Sequence, residues 1–198
     1  MKVKVMAVKY RIMAINLADV DYLDQIKDRD VQVILDQKRN AFDTWQRKLQ
    51  SVGDDAGVFM EDDVILCDNF RDEIEKIIEQ YPDMMISFFT LRKIDRPTLM
   101  RGADFCMNQC YYLPKKMAKA MYLYSINWLN SERGKANPTA YDYCMGDWLK
   151  MNKLKYILWS PSLVQHKQQK SRIDPRRSSK RQAKNFKGGK DGNQNSSM

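Results

Sequence analysis

The sequence has no apolar run approaching the roughly 20 residues of a membrane span. Its opening, MKVKVMAVKYR, lacks the apolar centre and small-residue cleavage site of a signal peptide. Four cysteines, Cys67, Cys106, Cys110 and Cys144, contain no CxxC pair. A structural zinc site, usually built from such close pairs, is therefore not expected, and reduced thiols are. These absences predict a cytoplasmic protein, or one in the cytoplasm of a host cell. Histidine is nearly missing, with His166 the single example. The D-x-D-x-D-G spacing of an EF-hand loop is also absent.

Positive charge is abundant but uneven. The formal net charge is +9 over 198 residues, of which 43% are hydrophobic, enough for one compact domain with a real core. From Lys167 to the end there are ten Lys or Arg against two Asp, so the preceding chain is close to neutral. Such basic tails bind polyanions or anionic surfaces, or serve only solubility. The charge pattern predicts one domain over 1–166, followed by a basic segment over 167–198 that is flexible beyond its start.

Hydrophobic periodicity supplies the organisation. KVKVMAV, VQVILD, AGVFMEDDVIL and DMMISFFTL are expected as strands. Between them NAFDTWQRKLQSV places Ala41, Trp45 and Leu49 on one helical face. NFRDEIEKIIEQY does the same with Phe70, Ile74, Ile77 and Ile78, with Asp68 as its expected cap and Pro82 as its stop. Alternating strands and helices predict an α/β fold with a mainly parallel, Rossmann-like sheet flanked by helices. Later, KKMAKAMYLYSINWLN is expected as a helix with Met117, Ala120, Met121 and Tyr124 on one face, and DYCMGDWLKMN as a shorter helix. KYILWSPSLVQH is expected as a last strand that closes on His166.

The stretch GVFMEDDVIL sets three consecutive acids, Glu61, Asp62 and Asp63, inside an apolar run. Buried carboxylates are costly unless paired. Doubly wound sheets bind ligands at the carboxyl ends of their strands, where these acids and Asp36 fall. A carboxylate pair holding Mg²⁺ or Mn²⁺ against a diphosphate accounts for the charge, because hard cations take oxygen ligands. His166 suits Mn²⁺ as a further ligand, and the cations after it suit a diphosphate.

VQVILD, GVFMEDDVIL, YDYCMGDWL and WSPSLVQHKQQKS, in that order, resemble a small GT-A fold glycosyltransferase. The likeness extends to compact bacteriophage glycosyltransferases, through PSLVQH and the Ser- and Arg-rich KSRIDPRRSSKR, and to the lipooligosaccharide galactosyltransferase group. The resemblance implies a nucleotide-sugar donor, a UDP-sugar by preference, and a Mn²⁺ or Mg²⁺ cofactor. By the same resemblance Asp36 contacts the nucleoside, and Glu61 and Asp62 lie at the ribose and the metal's water shell. Asp63 and His166 ligate the metal. The resemblance makes 1–166 the catalytic domain and the start of 167–198 a donor-phosphate loop, where Lys170 and Arg172 hold the diphosphate. It sets Arg11, after the first strand, near the nucleotide. The motif is Glu-Asp-Asp rather than Asp-x-Asp, which leaves open which acid touches the metal.

An inverting transfer also needs a carboxylate base for the acceptor hydroxyl. Asp147 is the first candidate and Asp142 the second, although both equally suit helix capping. Retaining transfer needs no such base. The basic segment suits DNA as acceptor, with a hydroxymethylated base receiving the sugar. A cell-surface glycan or lipid-linked sugar is the alternative, and a non-enzymatic nucleic-acid-binding protein is a third reading.

Overall fold

The computed structural model describes residues 8–168 and 181–188. Most of the KVKVMAV strand, Lys170 and Arg172 lie outside the described residues. β1 (Val8–Ala14), β2 (Asp30–Leu35) and β3 (Ala56–Glu61) run parallel, with β1 in the middle. β4 (Val64–Leu66), β5 (Met85–Ser87), β6 (Thr98–Arg101), β7 (Cys110–Leu113), β8 (Lys155–Leu158) and β9 (Val164–His166) follow. The main sheet has seven strands in the order β2-β1-β3-β7-β5-β8-β6. β7 pairs antiparallel with both β3 and β5, and β6 antiparallel with β8. The remaining five strands therefore point one way, which is the mixed, mainly parallel α/β sheet expected. β4 and β9 form a separate antiparallel pair.

Each sheet face buries alternate residues, as the two-residue period of a strand requires. Tyr10, Ile12, Val58, Met60 and Tyr112 pack on one face against α2 (Phe70–Gln80), through Phe70, Ile74, Ile77 and Ile78. Met13, Phe59, Tyr111 and Leu113 pack on the other face. They meet α1 (Ala41–Val52), α3 (Met117–Trp128) and α5 (Tyr141–Met151). α1 starts at Asn40, whose side chain accepts the Asp43 N–H, and stops at Gly53, where φ is 64°. That left-handed conformation suits glycine.

Several local expectations are corrected. AGVFMEDDVIL is two strands, β3 and β4, turning at Asp62 and Asp63. KYILWSPSLVQH is likewise two strands in different sheets. Asn69, not Asp68, stands at the N-cap position of α2, and its side chain makes no capping hydrogen bond. α3 buries Ala118, Met121, Ser125 and Trp128 rather than the face of Met117 and Tyr124. A short helix, α4 (Glu132–Ala136), lies between α3 and α5. The chain after His166 is not all peripheral. Residues 181–188 return to the domain, with Ala183 buried and the Ser162 N–H donating to the Asn185 carbonyl at 2.8 Å.

Two glycines test the packing of α5. A Cβ on Gly102, in the 3-10 turn Gly102–Asp104, would lie 2.5 Å from the Leu149 Cβ and 2.8 Å from the Leu154 carbonyl oxygen. Gly146, inside α5, has no neighbour nearer than 3.6 Å. Gly102→Ala is expected to destabilise by about 1–3 kcal/mol through overpacking. Gly146→Ala is expected to stabilise by about 0.5–1 kcal/mol through helix propensity. Urea unfolding midpoints check both signs.

Candidate active site

The three parallel strands end at one level, and the acids lie there. The Asp36 N–H donates to the Ala14 carbonyl at 2.7 Å, so Asp36 flanks the end of β1 from the β2 side. The Asp62 N–H donates to the Met13 carbonyl at 3.0 Å, and the Asp62 carboxylate accepts the Ile15 N–H at 3.1 Å, flanking β1 from the β3 side. Asp36 is buried, and one of its carboxylate oxygens accepts the Asn40 N–H at 2.8 Å. That bond ties the end of β2 to the start of α1.

β9 brings His166 beside the acids by pairing it with Val64, the residue after Asp63. The Lys167 N–H donates to the Asp63 carbonyl at 2.8 Å. His166 Nε2 then lies 3.0 Å from Asp63 Oδ2. The other ring nitrogen, Nδ1, is 2.6 Å from the Lys167 carbonyl, to which an N–H at that position donates. Asp63 Oδ1 is buried and has no hydrogen-bond partner among the described residues. Among the described residues no three His, Cys, Asp or Glu side chains form a ready-made metal cage. Two protein ligands nevertheless suit Mg²⁺ or Mn²⁺, which keep waters and substrate phosphate oxygens as their other ligands. A backbone carbonyl on Nδ1 is the usual outer partner of a metal-bound imidazole. The unpartnered oxygen and the imidazole thus fit such an ion.

Two further cations reach this point. Lys167 Nζ donates to the Asp62 carbonyl at 3.2 Å and pairs with Asp21 at 3.0 Å. Arg181 places Nη2 2.9 Å from His166 Nε2, and its Nε is buried without a partner among the described residues. Because a guanidinium only donates, Nε2 can accept from Arg181 only when the ring is neutral. Burial lowers the His166 pKa, but the Asp63 hydrogen bond and charge outweigh it and the net shift is upward. A protonated ring would donate to Asp63 instead.

Glu61 belongs to a different network. Tyr141, at the start of α5, donates a hydrogen bond to its carboxylate, and Tyr22 donates to its carbonyl at 2.6 Å. Lys48 reaches from α1 with its ammonium wholly buried and donates to the Met60 carbonyl at 3.2 Å. Burial and the Asp63 charge push the Glu61 carboxyl up to about 7. Burial pulls the Lys48 ammonium down to about 8 against the pull of Glu61 and Asp62. Each is moved toward its neutral form, as desolvation requires.

Arg11 is not near the acids. It lies within β1 rather than after it, and its guanidinium donates to Ser51 Oγ at 3.0 Å and the Asp30 carboxylate at 3.0 Å. Asp30 opens β2 and Ser51 lies in the last turn of α1, so Arg11 braces the opposite end of the sheet. Asp147 accepts from the Trp128 indole at 2.9 Å and pairs with Arg133. Asp142 stands beside Tyr141 in the first turn of α5. The turn that carries Asp142 is therefore the one that touches Glu61.

Lys48 was not singled out from sequence, yet its position is legible. Ala41, Trp45, Lys48, Leu49 and Val52 share the buried face of α1, so the helical period puts a lysine in the core. Arg181 carries no such sign, being one base among many. The Lys48 shift has a definite pH consequence. Its folded pKa is below its unfolded value of 10.5, so the unfolded chain binds more protons between about 8 and 10.5. Stability should therefore rise with pH across that window relative to Lys48→Met, by on the order of 1 kcal/mol per pH unit at most. Paired urea titrations of the two proteins at pH 8 and 10 check it.

No family model and no curated protein matches the sequence. Among solved structures, the fold is similar to the CTP:phosphocholine cytidylyltransferase of Streptococcus pneumoniae. The TM-score is 0.50 at 10% identity, covering 81% of this chain and 93% of that one. A protein from Bacillus anthracis assigned as a glucose-1-phosphate thymidylyltransferase, solved with a sucrose, gives a TM-score of 0.45. It is 17% identical, over 79% of this chain and 69% of that one. The fold is accordingly of the Rossmann-like α/β type that the cytidylyltransferase has.

Proposed function

We propose that this protein is a metal-dependent transferase that takes a nucleotide-sugar, a UDP-sugar by resemblance, and moves its sugar to a hydroxyl. One observation carries the reading. Asp36, Glu61, Asp62, Asp63 and His166 converge at the carboxyl ends of parallel strands, with the unpartnered Asp63 oxygen beside the imidazole. Asp63 and His166 hold Mn²⁺ or Mg²⁺, which when bound neutralises charge on the leaving diphosphate. Asp36 and Asp62 serve the nucleoside side, where their backbones already bracket the end of β1. Lys170 and Arg172 keep their proposed place on the diphosphate. Arg11 drops out of the nucleotide site.

For an inverting reaction Asp142 becomes the favoured base. Asp147 is committed to Arg133 and Trp128, whereas Asp142 adjoins the Tyr141–Glu61 contact. The acceptor we favour is a hydroxymethylated base in DNA, because the excess of Lys and Arg after Lys167 suits a phosphate backbone. A membrane glycan is the competing acceptor. Nucleotidyl transfer is a second reading, favoured by the likeness to the cytidylyltransferase fold.

Incubation with radiolabelled UDP-sugars, with and without EDTA, tests the reading. Release of UDP with sugar transfer to modified DNA is expected, and release of pyrophosphate from a nucleoside triphosphate would favour the second reading. Asp63→Asn should lower turnover at least about a hundredfold. Asp142→Asn should lower it by about 10²–10⁴ while Asp147→Asn chiefly lowers stability. Full activity of Asp63→Asn would remove the metal assignment.

A further inference from the structure

The Asp63–His166 centre already has a cation beside it, supplied by the chain itself. Residues 181–188 are fastened to the domain independently of the Arg181 side chain. The Ala183 N–H donates to the Gln165 side chain at 2.7 Å, and the Lys187 N–H donates to the Ser162 carbonyl at 3.0 Å. Lys187 also pairs with Glu73 at 2.6 Å. This anchoring delivers Arg181 to His166 Nε2 at 2.9 Å, the same nitrogen that lies 3.0 Å from Asp63 Oδ2.

The fit of the guanidinium is incomplete. Arg181 Nε is a buried donor without an acceptor, and Asp63 Oδ1 is a buried acceptor without a donor. Two complementary groups flank one imidazole nitrogen, and neither reaches its share of bonds. A planar fork cannot bond Oδ1 and Nε2 as a compact ion does. A divalent ion would use both atoms and would need Nε2 as its own ligand, so it cannot share that nitrogen with Arg181.

We propose that Arg181 is an internal counter-cation of the Asp63–His166 centre, exchanged for a divalent ion when one binds. The inference rests on the metal assignment made above. Arg181 offsets the Asp63 charge when no ion is bound and lowers the affinity for the ion by the strength of its own contact. The half-buried Asp63 carboxylate is thus never left uncompensated.

The test uses Mn²⁺ alone, without nucleotide, on the full chain. Free Mn²⁺ is followed by electron paramagnetic resonance for the wild type, Arg181→Gln and Arg181→Lys. Losing one charge-assisted contact should tighten Mn²⁺ binding by roughly tenfold to a hundredfold in Arg181→Gln. Arg181→Lys should fall between that variant and the wild type. Without metal Arg181→Gln should unfold at lower urea than the wild type, and saturating Mn²⁺ should close that gap. Equal or weaker Mn²⁺ binding by Arg181→Gln would overturn the exchange and leave the metal assignment standing. Binding by none of the three proteins would overturn both.

Discussion

Negative charge at the closed end of three parallel strands is the constraint that the rest of the molecule serves. β1, β2 and β3 terminate together, and acids follow the ends of two of them. The backbone hydrogen bonds of Asp36 and Asp62 to the end of β1 fix those acids in place. The strands must stay in register for these bonds to form, and the core on both faces of the sheet enforces that register. Charge collected there in a half-buried setting has to be compensated. The chain does so with Lys48 from below, Tyr141 on Glu61, and Arg181 at His166.

Compensation is divided between two networks of different character. Glu61, Lys48 and Tyr141 form a buried set in which desolvation drives acid and base toward neutrality. Asp63, His166 and Arg181 form a second set at the turn, built by pairing β4 with β9. The second set contains two buried atoms without a hydrogen-bond partner among the described residues, Asp63 Oδ1 and Arg181 Nε, and the first contains none among its named side chains. On the proposed reading Glu61 belongs to the structural set and Asp63 to the ligand-binding one. A bound ion and diphosphate would complete the second set without disturbing the first.

The strand ends were legible because charge interrupts an apolar pattern at Asp36, at Glu61-Asp62-Asp63 and at His166. α1 and α2 were legible because their buried faces repeat with the helical period. The division of AGVFMEDDVIL was not, since Val64-Ile-Leu66 is as apolar as Gly57-Val-Phe-Met60 and periodicity cannot register a turn between them. The bracing of Arg11 by Asp30 and Ser51 depends on neighbours far apart in sequence. Arg181 was hidden among other bases, because only the return of 181–188 to the domain distinguishes it.

The central claim is that Asp63 and His166 together receive a divalent ion. Anomalous diffraction at the manganese edge from crystals soaked in Mn²⁺ and UDP tests it most directly. The account predicts a manganese peak bonded to both Asp63 and His166, with the Arg181 guanidinium moved off the imidazole. A peak held only by other residues, or UDP bound at the strand ends with no manganese beside Asp63, would contradict it.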